Sequence, residues 1–218
     1  MKKQVSVIIP NFNGRNYLKD CLNSLNQQHF QDFEIILVDN ASTDDSLSLA
    51  REFCPEIKTI VLSENFGFCR AVNEGIRASK AAFVLLLNND SVVDPDFVGA
   101  LYEAIRGKEK VFSCASQMRK LTDPSKMDDG GDFYCALGWA FPRGKDKPSE
   151  DYEKAGRIFF SCAGAAIYRR EVFEKIGYFD EVHFAYLEDL DVGYRARIFG
   201  YENRYEPKAI VYHMGSGT

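Results

Sequence analysis

Phe83-Val-Leu-Leu-Leu-Asn-Asn-Asp90 is a run of five apolar residues closed by two amides and a carboxylate. A run this short and this apolar reads as a strand covered on both faces, and open α/β sheets place their ligands at the carboxyl ends of such strands. Asp90 is therefore a site candidate. The acidic group in Leu187-Glu-Asp-Leu-Asp191 and the late His213 lie more than ninety residues downstream and can meet Asp90 only through folding.

Upstream of this run, strand and helix patterns alternate. Val5 to Ile9 is a β-branched run ended by Pro10, and Tyr17, Leu18, Cys21, Leu22 and Leu25 recur at helical spacing after it. Phe33 to Val38 is a second strand, and Ser42 stands three residues ahead of Asp45, a capping-box arrangement for the next helix. Ile57 to Leu62 and Phe68 to Ala78 supply a third strand and helix. This alternation predicts right-handed βαβ units, hence an α/β fold with a mostly parallel central sheet flanked by helices on both faces.

Downstream, a helix from Pro95 to about Arg106 precedes a strand from Val111 to Met118. Arg119 to Arg157 is rich in charge, Gly and Pro and lacks a sustained period, so it reads as an excursion from the sheet. Ile158 to Tyr168 resumes strand character, and Arg170 to Ile176 is a short helix closed by Gly177. Leu187, Leu190, Tyr194 and Ile198 mark one face of a last helix, with Asp191 and Arg195 paired at i,i+4. A short strand, Ile210 to Tyr212, leads into His213.

With 218 residues and 45% hydrophobic content, the expectation is one domain with one good core. The formal net charge of -5 gives no electrostatic case for a nucleic acid or an anionic membrane as main partner. Six well-separated cysteines without a CxxC pair read as free thiols in a reducing compartment. The brief apolar run after Met1 is too short for a signal peptide, and no 18-residue apolar segment occurs. A cytoplasmic chain is expected, with peripheral contact at the inner membrane face left open.

Asp39 ends the second strand where a dinucleotide-binding fold keeps its ribose carboxylate, but Pro10-Asn-Phe-Asn-Gly14 carries neither GxGxxG nor GK[ST]. Asp39 is thus either a nucleotide ligand or a turn residue bonding local amides. Asn65-Phe-Gly67 opens the third helix with Arg70 in its first turn, where a diphosphate or a plain surface arginine both fit. Asn88, Asn89 and Asp90 offer oxygen donors of the kind Mg²⁺ takes together with phosphate oxygens, or form a turn before the Pro95 helix. Glu188, Asp189 and Asp191 complement a helix macrodipole, yet three carboxylates exceed what capping requires, and one with a raised pKa can serve as general base. Trp139 offers an indole face on which a sugar ring can stack.

Taken in order, these segments resemble the family 2 glycosyltransferases of the GT-A fold, and among them the bacterial rhamnosyltransferase-like subgroup. The likeness runs through Val5-Ser-Val-Ile-Ile-Pro-Asn-Phe-Asn-Gly14, Glu34-Ile-Ile-Leu-Val-Asp-Asn-Ala-Ser-Thr-Asp44, Asn65 to Gly75, Leu87-Asn-Asn-Asp-Ser91, Gly164-Ala-Ala-Ile-Tyr-Arg169, Gly177-Tyr-Phe-Asp-Glu181, Glu188-Asp-Leu-Asp191 and Val211-Tyr-His213. The resemblance implies one GT-A domain, with residues 1–118 binding a UDP- or dTDP-sugar and residues 119–218 binding a saccharide or lipid-linked acceptor. It assigns Pro10, Asn11, Asn13, Asp39, Asn65, Gly67, Arg70, Asn73 and Asn89 to the nucleotide sugar. Asp90, His213 and Asn88 would take a divalent cation, Mg²⁺ or Mn²⁺, as cofactor. Asp189, with Glu188 beside it, would be the catalytic base, and Trp139, Gly164, Ala165 and Asp191 would meet the acceptor. The chain departs from the family's DxD motif at Asn88, where an amide replaces the first acid. Members of the family commonly continue past the position of His213 with further helices.

Three other readings compete, one of them a glycoside hydrolase using paired carboxylates, which would not call for a Gly-rich helix start or a strand-end His. Asn88-Asn-Asp-Ser-Val92 mimics the DxDx[TV] motif of haloacid-dehalogenase-type phosphatases, but its nucleophile position holds an amide that cannot form an aspartyl phosphate. A nucleotide-sugar-binding domain without transfer activity is the alternative from a different class.

Overall fold

The computed structural model describes residues 3–215. In chain order the elements are β1 (Val5–Asn11), α1 (Arg15–Asn26), β2 (Phe33–Asp39), α2 (Ser46–Phe53), β3 (Lys58–Val61), α3 (Gly67–Ala78), β4 (Phe83–Leu87), β5 (Ser91–Val93) and α4 (Phe97–Ile105). They continue with β6 (Val111–Lys120), β7 (Met127–Asp129), β8 (Asp132–Tyr134), β9 (Ala140–Pro142), β10 (Gly156–Ile158), β11 (Ala165–Arg169), α5 (Arg170–Ile176), α6 (Glu188–Ile198) and β12 (Glu202–His213).

The main sheet runs β10-β12-β6-β11-β4-β1-β2-β3, with β5 added to β12 and β7 to β6. From β4 to β3 every pairing is parallel, as the alternating pattern requires. Beyond β4 the sheet becomes mixed, because β11 enters antiparallel to both β4 and β6. The expected parallel sheet thus describes the first half of the chain, where helical crossovers return each strand in the same direction.

Strand alternation splits the core between the two faces. Val5, Val7, Ile9, Leu85 and Leu87 pack with Leu18, Leu22, Phe97 and Leu101 from α1 and α4. Ile8, Val84 and Leu86 pack on the opposite face with Val72 and Ile76 of α3 and Val172 and Phe173 of α5. Each such side chain withdrawn from water contributes about 1.5–3 kcal/mol before entropy is charged against it.

Four sequence expectations change. The Ser42 capping box does not form: the Ser42 hydroxyl donates to Asp39 Oδ1 at 2.6 Å, and α2 starts at Ser46 without a side-chain cap. The Ile158–Tyr168 strand divides into β10 and β11, because the small residues between them peel away into the cleft. The short terminal strand proves twelve residues long, its first half disguised by Glu202, Arg204, Glu206 and Pro207. In α6 the supposed packing face looks outward: Leu187, Tyr194 and Ile198 are exposed, while Glu188, Val192, Gly193 and Ala196 point inward. Gly193 is what lets α6 lie so near the loop before β11, since a Cβ there would stand 2.4 Å from Phe160 Cβ.

The six cysteines are unpaired, as expected. Among the described residues no helix is long and apolar enough to cross a membrane.

Candidate active site

The carboxyl ends of β1, β2 and β4 are joined by one buried carboxamide. Asn11 Nδ2 donates to Asp39 Oδ1 at 2.8 Å and to the hydroxyls of Ser42 and Ser46, and Asn11 Oδ1 accepts from Asn89 Nδ2 at 2.8 Å. Asp39 also accepts from the Ser42 amide at 3.0 Å. Asn13 sits just outside with a positive φ of 51°, and its Oδ1 receives the amides of Thr43 and Asp44. Asp39 is therefore the turn residue its local chemistry allowed, and it still shares one pocket edge with Pro10, Asn11, Asn13 and Asn89.

His213 reaches Asp90 through a strand that the sequence does not announce. β5 pairs antiparallel with β12, His213 opposite Ser91, and the Met214 amide donates to the Asp90 carbonyl at 3.2 Å. That register sets His213 Nε2 3.2 Å from Asp90 Oδ1 and 3.4 Å from Asn88 Nδ2. The other ring nitrogen, Nδ1, lies 2.7 Å from Asp128 Oδ2. Burial opposes a charge on His213, but the bonds to Asp128 and Asp90 prevail and raise its pKa to about 9. The same contact with His213 lowers Asp128 against its own burial.

Asp128 was missed from sequence. It lies in the aperiodic excursion, and only the pairing of β7 with β6 delivers it. A carboxylate on the far nitrogen of a ligating histidine fixes the ring and its tautomer. The donor set suits a hard divalent cation: the 3.2 Å between Asp90 and His213 is a span that two ligands at about 2.1 Å from one cation cover, and the Asn88 amide turned over offers an oxygen. Among the described residues no three His, Cys, Asp or Glu side chains converge as a metal-binding group.

The loop before β11 brings the two halves together. Asn88 N donates to the Gly164 carbonyl at 2.8 Å, and the neighbouring Ala163 amide lies 3.4 Å from Asp189 Oδ2. A Cβ on Gly164 would stand 3.1 Å from Asn88 Nδ2, so the glycine keeps the cleft floor open there. Ala165 is buried in the core, paired in β11 opposite Leu87. Burial raises Asp189 to about 6, against the pull of the Leu190 and Ala163 amides and with help from the charge of Asp129. Burial and then Asp189 push Glu188 to about 7, and Glu188 Oε2 has no partner. Behind them lies an unforeseen buried pair: burial, followed by the Asp129 charge, holds the Asp132 carboxyl far above its usual range.

Three expected site residues have other work. Asn73 is fully buried and spends its amide on Phe179 N and O and on Glu181 Oε1, so it anchors the segment before α6. Arg70 pairs with Glu181 at 2.9 Å and Glu74 at 3.0 Å, which cancels the charge expected for a diphosphate. Asp191 holds Arg195 at 2.7 Å, and Arg195 in turn donates to the carbonyls of Ile176, Gly177 and Tyr178. Asn65 Oδ1 accepts from Gly67 N at 3.0 Å, shaping the α3 entry. Gly67 itself has φ +84° and a Cβ there would stand 2.6 Å from the Phe184 ring, so only glycine fits. Trp139 is 72% exposed, in the connection between β8 and β9.

Comparisons with known proteins agree with this geometry. Poly-beta-1,6-N-acetyl-D-glucosamine synthase of Staphylococcus epidermidis is 24% identical over 212 residues, 96% of this chain and 50% of the relative. N-acetylglucosaminyl-diphospho-decaprenol L-rhamnosyltransferase of Mycobacterium tuberculosis is 28% identical over 240 residues, covering 98% of this chain and 76% of the relative. The chain spans half or less of the length of the curated relatives that head the comparison. Among solved structures, GalNAc-T7 with UDP, GalNAc and Mn²⁺ superposes with TM-score 0.81 at 16% identity, covering 97% of this chain and 44% of that one. Mannosyltransferase PcManGT from Pyrobaculum calidifontis, in complex with GDP-Man and Mn²⁺, gives TM-score 0.74 at 16% identity over 100% of this chain and 59% of that one. These likenesses establish the fold as GT-A. Residues 6–177, which hold the strand ends, the Asn88-Asn89-Asp90 turn and the cleft floor, match the sequence profile described as Glycosyl transferase family 2, and the chain belongs to that family.

Proposed function

We propose that the chain is an inverting glycosyltransferase that moves a sugar from a UDP- or dTDP-linked donor to a hydroxyl of a saccharide or lipid-linked acceptor in cell-surface polysaccharide synthesis. The observation that carries this reading is the convergence at Gly164: Asn88, next to Asp90 and His213, bonds its carbonyl, while Asp189 approaches the adjacent amide. Donor-side and acceptor-side groups thereby face one cleft. The organisms' relatives with transferase names, and GT-A neighbours containing UDP or GDP-Man, support the same reading.

Pro10, Asn11, Asn13, Asp39 and Asn89 line the nucleotide edge, rigid before any ligand arrives. Asp90, His213 and the Asn88 amide would hold Mg²⁺ or Mn²⁺, which when bound offsets negative charge on the diphosphate. Asp189 accepts the proton of the acceptor hydroxyl as that oxygen forms its bond to the anomeric carbon. The bond from that carbon to the diphosphate oxygen breaks on the opposite side, the nucleoside diphosphate departs with the electron pair, and the anomeric centre inverts. With its pKa near 6, Asp189 is ionised at neutral pH yet basic enough to share the proton in the transition state.

The test is a thermal-shift and turnover screen of UDP- and dTDP-sugars with Mn²⁺, Mg²⁺ or a chelator, because a ligand specific for the folded state raises its stability. Stabilisation by one donor and release of its nucleoside diphosphate are expected. No stabilisation and no release from any donor would remove the assignment, and undiminished turnover in chelator would remove the cation from it.

A further inference from the structure

A groove of about 430 Å³, remote from the nucleotide edge, opens between the β8–β9 hairpin, β10, the end of α6 and the start of β12. Its aromatic surfaces are Phe133, Tyr134, Phe159 and Tyr201, and its cations are Arg157 and Arg197. Arg197 lies over the Phe159 ring at 4.6 Å from its centroid and, among the described residues, makes no ion pair. Arg157 is held by Glu202 at 2.7 Å. The walls are fixed from behind: buried Asn203 donates to the Phe159 carbonyl at 2.6 Å and accepts from Ser113 Oγ.

Asp189, Gly193 and Arg197 form one i, i+4, i+8 row on α6, which leads from the carboxylates to the groove. Alternation along β8 puts Asp132 and Tyr134 on the same face of the strand. Asp132 lies near Asp189, and Tyr134 packs on Tyr194 with centroids 5.8 Å apart. Tyr134 and Tyr194 both meet Phe159, at 5.1 and 5.7 Å, and Arg197 lies about 12 Å of helix beyond Asp189.

We propose that the groove is an acceptor subsite for an anionic saccharide, its rings resting on Phe133 and Tyr201 and its phosphate or carboxylate held by Arg197, which the Phe159 ring backs. The inference rests on the transferase reading of the Asp189 cleft and narrows its acceptor class. Aromatic faces suit the apolar face of a pyranose, and an arginine stacked on a ring presents its donors edge-on for bidentate contact with an oxyanion. The ion pair with Glu202 leaves Arg157 as a secondary contact.

Isothermal titration of the whole chain with N-acetylglucosamine 1-phosphate, a glucuronic-acid-terminated disaccharide and neutral diacetylchitobiose tests this. At least one anionic probe should bind about tenfold more tightly than chitobiose, and Arg197→Gln should abolish that preference while melting at the wild-type temperature. Which anion wins separates a phosphate-bearing from a uronic acceptor. Phe133→Leu should weaken all three probes together. Equal binding of charged and neutral probes, unchanged affinities in Arg197→Gln, or no binding of any probe would overturn the proposal. UDP and dTDP titrated into the same samples report on the donor reading separately, and their affinities should not respond to Arg197→Gln.

Discussion

The two sides of the cleft treat their carboxylates differently. On the nucleotide side, Asn11, Asp39, Ser42, Ser46 and Asn89 bond one another, although Asn40 Oδ1 beside them is buried without a partner and Asn13 and Ala41 hold positive φ. On the acceptor side, Glu188 Oε2 and Asp132 Oδ1 are buried without partners, and Phe184, Tyr186 and Leu187 hold positive φ within four residues. Buried groups left without partners and strained backbone are costs that folding alone does not reward. The nucleotide wall is thus a template of mutually bonded groups, while the wall with Glu188, Asp189 and Asp132 carries the larger cost of buried carboxylates.

The largest effect expected concerns the costly wall. Asp189→Asn should reduce transfer by about 10²–10⁴-fold, the share usual for a positioned general base, with donor affinity retained in the same titration. Near-normal transfer would move the base elsewhere, Glu188 being the nearest carboxylate. The template wall breaks differently: Asn11→Ala strands Asn89 Nδ2 and strips Asp39 of one donor, so urea unfolding should show a loss of about 1–3 kcal/mol. A loss well under that would mean water replaces the carboxamide and the wall is less rigid than drawn.

The pH dependence of turnover sharpens the same contrast. Asp189 must be ionised to act, so kcat should fall about tenfold per pH unit below its pKa near 6 and level off above it. A smaller effect is expected at Asp132, whose carboxyl is raised by burial and by Asp129. A raised folded pKa makes a contribution that is complete below the unfolded value, about 4, and disappears as pH climbs toward the folded one. Asp132→Asn should therefore flatten the decline of stability above about pH 4 and raise the neutral-pH melting point by about 2–4 °C, the shift that about 1 kcal/mol gives a domain of this size. A lower melting point would show that the Asp129–Asp132 contact stabilises the fold as it stands. The smallest change is expected at Trp139, where alanine should alter stability by no more than about 0.5 kcal/mol, since most of the indole is already in water. If acceptor KM is also unmoved, Trp139 has no part in the site.

Much of the fold was legible because its signals are local. The runs Val5–Ile9, Phe33–Val38 and Phe83–Leu87 and the helices between them needed only period and punctuation, and four parallel strands followed. Asp90, Asp189 and Gly164 were legible as positions on that frame. The outward face of α6 was misread because Leu187, Leu190, Tyr194 and Ile198 keep a helical period whether or not anything covers them. Asn73 was misread for a related reason, since an amide in a motif looks the same whether it faces a ligand or ties down Phe179, whereas the i,i+4 pair of Asp191 with Arg195 formed as its spacing predicted.

What the sequence by itself determined is the order of strands and helices, the parallel half of the sheet and the strand end at Asp90, because apolar periodicity and chain direction are written in neighbouring residues. Only the tertiary structure decided that His213 stands 3.2 Å from Asp90 with Asp128 behind it, that Arg70 is neutralised by Glu181, and that Tyr134 of β8 meets Tyr194 of α6. Those relations depend on the register of β12 against β5, on the pairing of β7 with β6 and on the packing of Tyr134 against Tyr194. Register between distant segments is set by which packing of the whole chain buries most apolar surface while leaving fewest polar groups unpaired, and no stretch of neighbouring residues carries that sum.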